Sequence, residues 1–170
     1  MSLVLRHKPE TIGIKLDPNG WADVDELLAG INAKGIKIDF ELLEDVVLTN
    51  DKQRFTFDET CSRIRANQGH SVEVDLELTP LAPPELLFHG TVAPSIPGIL
   101  ANGLQKMNRQ HVHLSKDLDT AVIVGKRRGN PLILQIAAGK MHADGHTFYR
   151  SQNGVWLCDF VPPHYLTQLS

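Results

Sequence analysis

The chain has 170 residues, 42% hydrophobic and 22% charged, enough for a packed core in one domain or two small lobes. Its net charge of −3 supplies no strong positive field for nucleic acid, and no apolar run approaches a membrane span. Cys61 and Cys158 have neither disulfide-framework nor metal-ligand spacing and fit two reduced thiols of a cytosolic protein. The opening stretch SLVLRHKPE predicts a short apolar helix that ends by presenting Arg6 and His7 before Pro9. Taken alone, that is a basic last turn facing a helix dipole. The start is too short and too quickly charged for a secretory signal. DVDELLAGINAKG predicts a helix capped by Asp23, with Leu27, Leu28 and Ile31 as its stripe and Gly35 as its stop. DFELLEDVVLT repeats the design from Asp39. RFTF and RIRA, separated by DETCS, alternate and predict a hairpin. Helices followed by a hairpin suggest a small winged-helix domain, a fold that serves equally as nucleic-acid binder or plain scaffold. Arg63 and Arg65 would share one strand face, and the polar run Asn67, Gln68, His70 and Ser71 reads as a solvated wing tip.

The proline-rich segment LTPLAPPELL predicts an extended linker between lobes at 1–80 and 81–170. The charge divides there. Residues 1–82 hold 9 Lys/Arg and 15 Asp/Glu, a balance of −6, whereas residues 83–170 hold 8 and 5, a balance of +3. The second lobe is the better candidate for an anionic ligand. In it, LLFHGT, HVHLS, PLILQIAA, HTFY and GVWLCDFV predict strands, and SIPGILANGL and DLDTAVIVGK predict helices. The fold class is therefore α+β, with a small mixed sheet in the second lobe. Six histidines fall in this lobe (89, 111, 113, 142, 146 and 164), but neither an HExxH nor a Cys/His quartet is present, so no metal is expected. At HGT, Gly90 would let a ligand approach the backbone, while His89 and Thr91 offer hydrogen bonds. GKRRG at 125–129 brackets two arginines with glycines, as a basic helix end would.

Seven ordered stretches carry a more specific signal: SLVLRHKPE, LDPNGWADVDELL, IRANQGHS, LFHGT, HVHLS, VGKRRG and NGVWL. In that order, and across nearly the whole chain, they resemble the RNA 2'-phosphotransferase family. The resemblance implies a winged-helix lobe followed by an ADP-ribosyltransferase-like lobe that binds NAD as co-substrate. It implies transfer of an internal RNA 2'-phosphate, of the tRNA splice-junction type, to NAD. The phosphate expels nicotinamide to give RNA-2'-phospho-ADP-ribose. A ribose hydroxyl then attacks phosphorus, leaving a repaired RNA 2'-hydroxyl and ADP-ribose 1'',2''-cyclic phosphate.

Carried over by motif, the family's catalytic set is Arg6, His7, Arg65 and Arg127. His89, Gly90, Thr91, His113, Ser115 and Asn153 are the implied NAD-binding residues. Arg109 is placed to meet a pyrophosphate or RNA. Arg128 stands where the family often has histidine and is a candidate RNA or phosphate contact. Two other functions compete: ADP-ribosylation of a protein or another phosphorylated substrate, and non-catalytic winged-helix binding of nucleic acid. Many protein-modifying transferases use a glutamate in their last motif, and the second lobe has only Glu85, ahead of HGT. The −6 balance of the first lobe counts against plain nucleic-acid binding. We expect a cytoplasmic monomer with no membrane attachment.

Overall fold

A computed structural model describes residues 1–169 and divides the chain into two compact units, Met1–Glu77 and Leu78–Ser170. The break falls at the head of the proline-rich segment. The first unit contains α1 (Ser2–Arg6), a 3-10 turn (Pro9–Ile12), β1 (Trp21–Asp23), α2 (Val24–Ala33), α3 (Phe40–Leu48), β2 (Phe55–Phe57) and β3 (Arg63–Ala66). Its sheet has the order β1-β3-β2, with both pairs antiparallel.

The helices begin where the sequence predicts. The Asp23 carboxylate accepts from the Glu26 amide at 3.0 Å, and Asp39 accepts from the Leu42 amide at 2.9 Å. Each satisfies one of the four amides that a helix start leaves without an internal partner. Helical spacing then turns Val24, Leu27 and Ile31 of α2, and Leu43 and Val47 of α3, toward one core with Val4 and Leu5 of α1 and Phe55 and Ile64 of the hairpin. Full burial of Leu5, Leu27, Leu43 and Ile64 contributes about 1.5–3 kcal/mol each.

The polar run after β3 differs from the expectation. It is no solvated wing tip: Asn67 is 7% exposed and His70 is 0% exposed. The hairpin turn lies earlier, between β2 and β3. After β3 the chain turns inward at Gly69 (φ +85°), and the Ser71 and Val72 amides donate to the Arg6 carbonyl at 2.9 and 3.4 Å. Polarity of the sequence suggested solvent, but Asn67 and His70 are buried, while Ser71, whose amide pairs with the end of α1, stays exposed.

The second unit runs β4 (Leu87–Val92), a 3-10 turn (Ala93–Ser95), α4 (Ile96–Asn102), β5 (Leu104–Gln105), β6 (Val112–Leu114) and α5 (Leu118–Gly125). A 3-10 turn (Lys126–Arg128), β7 (Pro131–Ile136), α6 (Ala138–Ala143), β8 (Tyr149–Arg150), β9 (Trp156–Cys158), β10 (Phe160–Val161), another 3-10 turn (Pro163–Tyr165) and β11 (Leu166–Leu169) follow. Three small sheets form, ordered β11-β7-β4, β6-β9-β8 and β10-β5. The expectation of a mixed sheet is corrected, because among the described residues every strand pair of this unit is antiparallel. β7 runs against both of its neighbours, so no parallel pair arises. HTFY supplies strand only from Tyr149, GVWLCDFV splits into β9 and β10, and α6 arises where a strand end was expected. Leu87, Leu114, Leu134, Ile136, Phe148, Trp156 and Val161 belong to this unit's core.

Candidate functional site

In the first unit the basic residues converge at the end of α1 and on β3. Arg6 is the last residue of α1 and His7 its C-cap. His7 Nδ1 is hydrogen-bonded to Ser71 Oγ at 2.9 Å. Together with the two amides on the Arg6 carbonyl, this ties the 69–72 turn to the Arg6–His7 segment. The Arg6 guanidinium lies 5.8 Å from the Phe55 ring centre. Arg65 is the register partner of Trp21 across β1–β3, and its guanidinium lies 4.4 Å from the indole centre. Arg63, two residues earlier on the same face, lies 5.4 Å from that ring. A cation over an indole face is held without losing its charge.

The polar contacts of Arg65 are long. One nitrogen donates to the Asn19 carbonyl at 3.3 Å and lies 3.8 Å from the Glu77 carboxylate, an exposed group. Behind this cluster sits His70. Burial, then the charges of Arg6, His7 and Arg65, pushes its pKa from 6.5 down to about 4. The three predicted residues of this unit thus act on one buried imidazole. Planar guanidinium forks and a histidine are suited to a phosphate group. Trp21 and Asn19 were not singled out in the sequence, and His70 was read there only as part of a solvated polar run. The cross-strand position of Trp21 becomes visible only once the β1–β3 register is known.

In the second unit the HGT motif lies in β4 and HVHLS surrounds β6. The two are joined by an antiparallel bridge between Phe88 and Ser115. The Phe88 and Ser115 amides donate to each other's carbonyls at 2.9 and 2.7 Å. His89 Nδ1 contacts the His113 carbonyl at 3.1 Å, so it carries the hydrogen and donates, leaving Nε2 as an acceptor. Burial lowers the His89 pKa; its bond to the His113 carbonyl opposes this, and the charges of Arg128 and Arg109 add to it. Arg109 reaches His113 Nδ1 at 3.1 Å. Burial and the neighbouring Arg128 lower the Arg109 pKa.

Thr91 is 3% exposed. Gly90 has a packing requirement of its own: a Cβ there would come 1.9 Å from the Ala121 carbonyl oxygen of α5. Asn153 accepts from Ser151 Oγ at 2.7 Å within the turn before β9. Arg127 is exposed in the 3-10 turn after α5. The structure brings His89, His113, Arg109 and Arg128 into one electrostatic neighbourhood. Among the described residues no Lys or Arg of this unit forms an ion pair with a carboxylate. That donor set fits an anionic, hydrogen-bond-accepting ligand. Among the described residues no group of three or more His, Cys, Asp or Glu could hold a metal ion, and no helix is long and apolar enough to cross a membrane.

Both clusters are basic, and in the first Arg63 and Arg65 also face the carboxylates of Asp17, Asp58 and Glu77. Comparison with known proteins gives the class. The RNA 2'-phosphotransferase, Tpt1 / KptA family profile matches residues 1–160. A protein of Flavobacterium johnsoniae is 56% identical over 166 residues, covering 98% of this chain and 91% of its own. One of Trichormus variabilis is 55% identical over 170 residues, covering 100% and 93%, and one of Rhodopirellula baltica is 56% identical over 168 residues, covering 98% and 91%. All three carry the name "Probable RNA 2'-phosphotransferase". The chain belongs to the RNA 2'-phosphotransferase family and is a transferase.

Proposed function

We propose that this protein removes an internal 2'-phosphate from RNA by transferring it to NAD. The observation that carries the reading is the convergence of Arg6, His7 and Arg65 on one buried imidazole, with an exposed glutamate as the ion-pair partner of Arg65 among the described residues. Such a cluster retains its charge for a phosphate. The element order of the first unit, helix, strand, two helices and a hairpin, agrees with a winged-helix lobe. The second unit is read as the ADP-ribosyltransferase-like lobe. Its His89, Gly90, Thr91, His113, Ser115 and Asn153 are assigned to NAD, with Arg109 and Arg128 beside them as partners for its pyrophosphate.

In this reading a 2'-phosphate oxygen attacks the anomeric carbon of the nicotinamide ribose, and the bond to nicotinamide breaks. The adjacent ribose 2''-hydroxyl then attacks phosphorus. The RNA 2'-oxygen departs and is protonated, giving a 2'-hydroxyl and ADP-ribose 1'',2''-cyclic phosphate. Arg6 and Arg65 hold the nonbridging oxygens, on which charge grows in the second step. His7 manages the hydroxyl proton, since an imidazole changes protonation near neutral pH. Arg127 adds positive charge to the same step. Positioning and electrostatics thus carry the chemistry, and no metal is required.

Incubation with NAD and a defined RNA bearing one internal 2'-phosphate, with chelator present, tests this by mass analysis. The expected products are 2'-hydroxyl RNA, nicotinamide and ADP-ribose cyclic phosphate. Release of inorganic phosphate without consumption of NAD would overturn the assignment of NAD.

A further inference from the structure

The side chain of His70 is 0% exposed, and neither ring nitrogen has a hydrogen-bond partner. Such burial is costly, because each nitrogen has given up water and received nothing in exchange. Leucine or phenylalanine would fill the space without that cost. The imidazole is nonetheless accommodated with care. Gly20 lies beside it, and a Cβ at that position would come 3.4 Å from His70 Nε2. The preceding Gly69 takes a left-handed conformation, and the following Ser71 and Val72 amides are anchored on the Arg6 carbonyl.

The charges acting on the ring are Arg6, His7 and Arg65, all of one sign. A carboxylate in this place would pair with the arginines and cancel their charge; an uncharged imidazole leaves it intact. An imidazole in that state still offers one N–H donor and one lone pair. Phosphate oxygens can accept from the donor, and the cations around the ring already favour an anion.

We propose that His70 is a fourth member of the phosphate pocket, donating a ring N–H to a phosphate oxygen held by Arg6, His7 and Arg65. The proposal rests on reading that cluster as the 2'-phosphate site. The ring nitrogens are buried, so the contact requires a neighbouring side chain to shift. Arg65 is suited to do so, because its polar contacts at 3.3 and 3.8 Å are long and an incoming phosphate competes for both.

The test compares wild type with His70→Phe and His70→Gln. Each is titrated with a short RNA carrying one internal 2'-phosphate and with the same RNA carrying a 2'-hydroxyl. Loss of one hydrogen bond to a charged group weakens binding roughly 10- to 100-fold. His70→Phe is expected to show that loss for the phosphorylated RNA only, and His70→Gln, which keeps an N–H donor, to recover part of it. In wild type labelled with nitrogen-15, the His70 ring resonances are expected to shift with the phosphorylated RNA and not with its hydroxyl counterpart. This second measurement stands even if His70→Phe does not fold. Undiminished preference for the phosphorylated RNA in folded His70→Phe, or unmoved ring resonances in wild type, would overturn the role of His70 alone. A wild-type protein with no preference would overturn the phosphate site itself.

Discussion

Acid should loosen the first unit through His70, and the size of the effect follows from its surroundings. In the folded chain burial, then Arg6, His7 and Arg65, holds the imidazole pKa at about 4. In the unfolded chain it titrates near about 6.5. Between these values the unfolded state binds a proton that the folded state refuses. Stability therefore rises with pH across this window and is lost as pH falls from about 6.5 toward about 4. Integrated from pH 7 to about pH 5, the loss from this one group is about 2 kcal/mol.

The assay is urea unfolding at both pH values, followed by tryptophan fluorescence. Trp21 belongs to the first unit and Trp156 to the second, so a Trp156→Phe background leaves Trp21 as the reporter. His89 and His111 also have pKa values lowered chiefly by burial. They are present in both proteins, so the difference between His70 and His70→Phe isolates the one imidazole. The phenylalanine protein should lose about 2 kcal/mol less between the two pH values. Equal losses in the two proteins would refute the description of His70 as a buried, uncharged base.

Three further outcomes are expected. Gly90→Ala should destabilise the second unit by about 3 kcal/mol, since its Cβ would collide with the Ala121 carbonyl of α5; calorimetry checks this, and an unchanged melting temperature would contradict the packing account. Arg65→Lys should remain impaired in turnover despite keeping its charge, because an ammonium neither forks onto phosphate nor stacks on Trp21 as a guanidinium does; a wild-type rate would remove the fork from the mechanism. His7→Ala and Arg127→Ala should slow the second chemical step by roughly 100- to 1000-fold, so that RNA-2'-phospho-ADP-ribose accumulates as a slower-migrating labelled RNA. Folded variants that bind NAD yet stop at unreacted 2'-phosphorylated RNA would contradict that division of labour.

Local chemistry in the sequence determined the first unit's helices and hairpin. Asp23 and Asp39 cap where their spacing to Glu26 and Leu42 says they should, because a cap bond closes within three residues and needs nothing distant. Arg6, His7, Arg65 and His89, by contrast, were singled out by the resemblance of the LRH, IRA and HGT stretches to a family and not by their local chemistry. Tertiary structure decided what depends on partners far along the chain. It set Trp21 against Arg65, a pairing of residues 44 positions apart that follows from strand register. It also gave Gly90 a second reason to be glycine, since the Ala121 carbonyl beside it, 31 positions later, is delivered by α5. Above all it reversed the reading of His70. A polar run after a glycine reads as solvated surface, because sequence polarity reports the cost of burial and not whether the fold accepts it. Here Asn67 and His70 are buried while Ser71 stays exposed, leaving an imidazole without partners beside three cationic side chains.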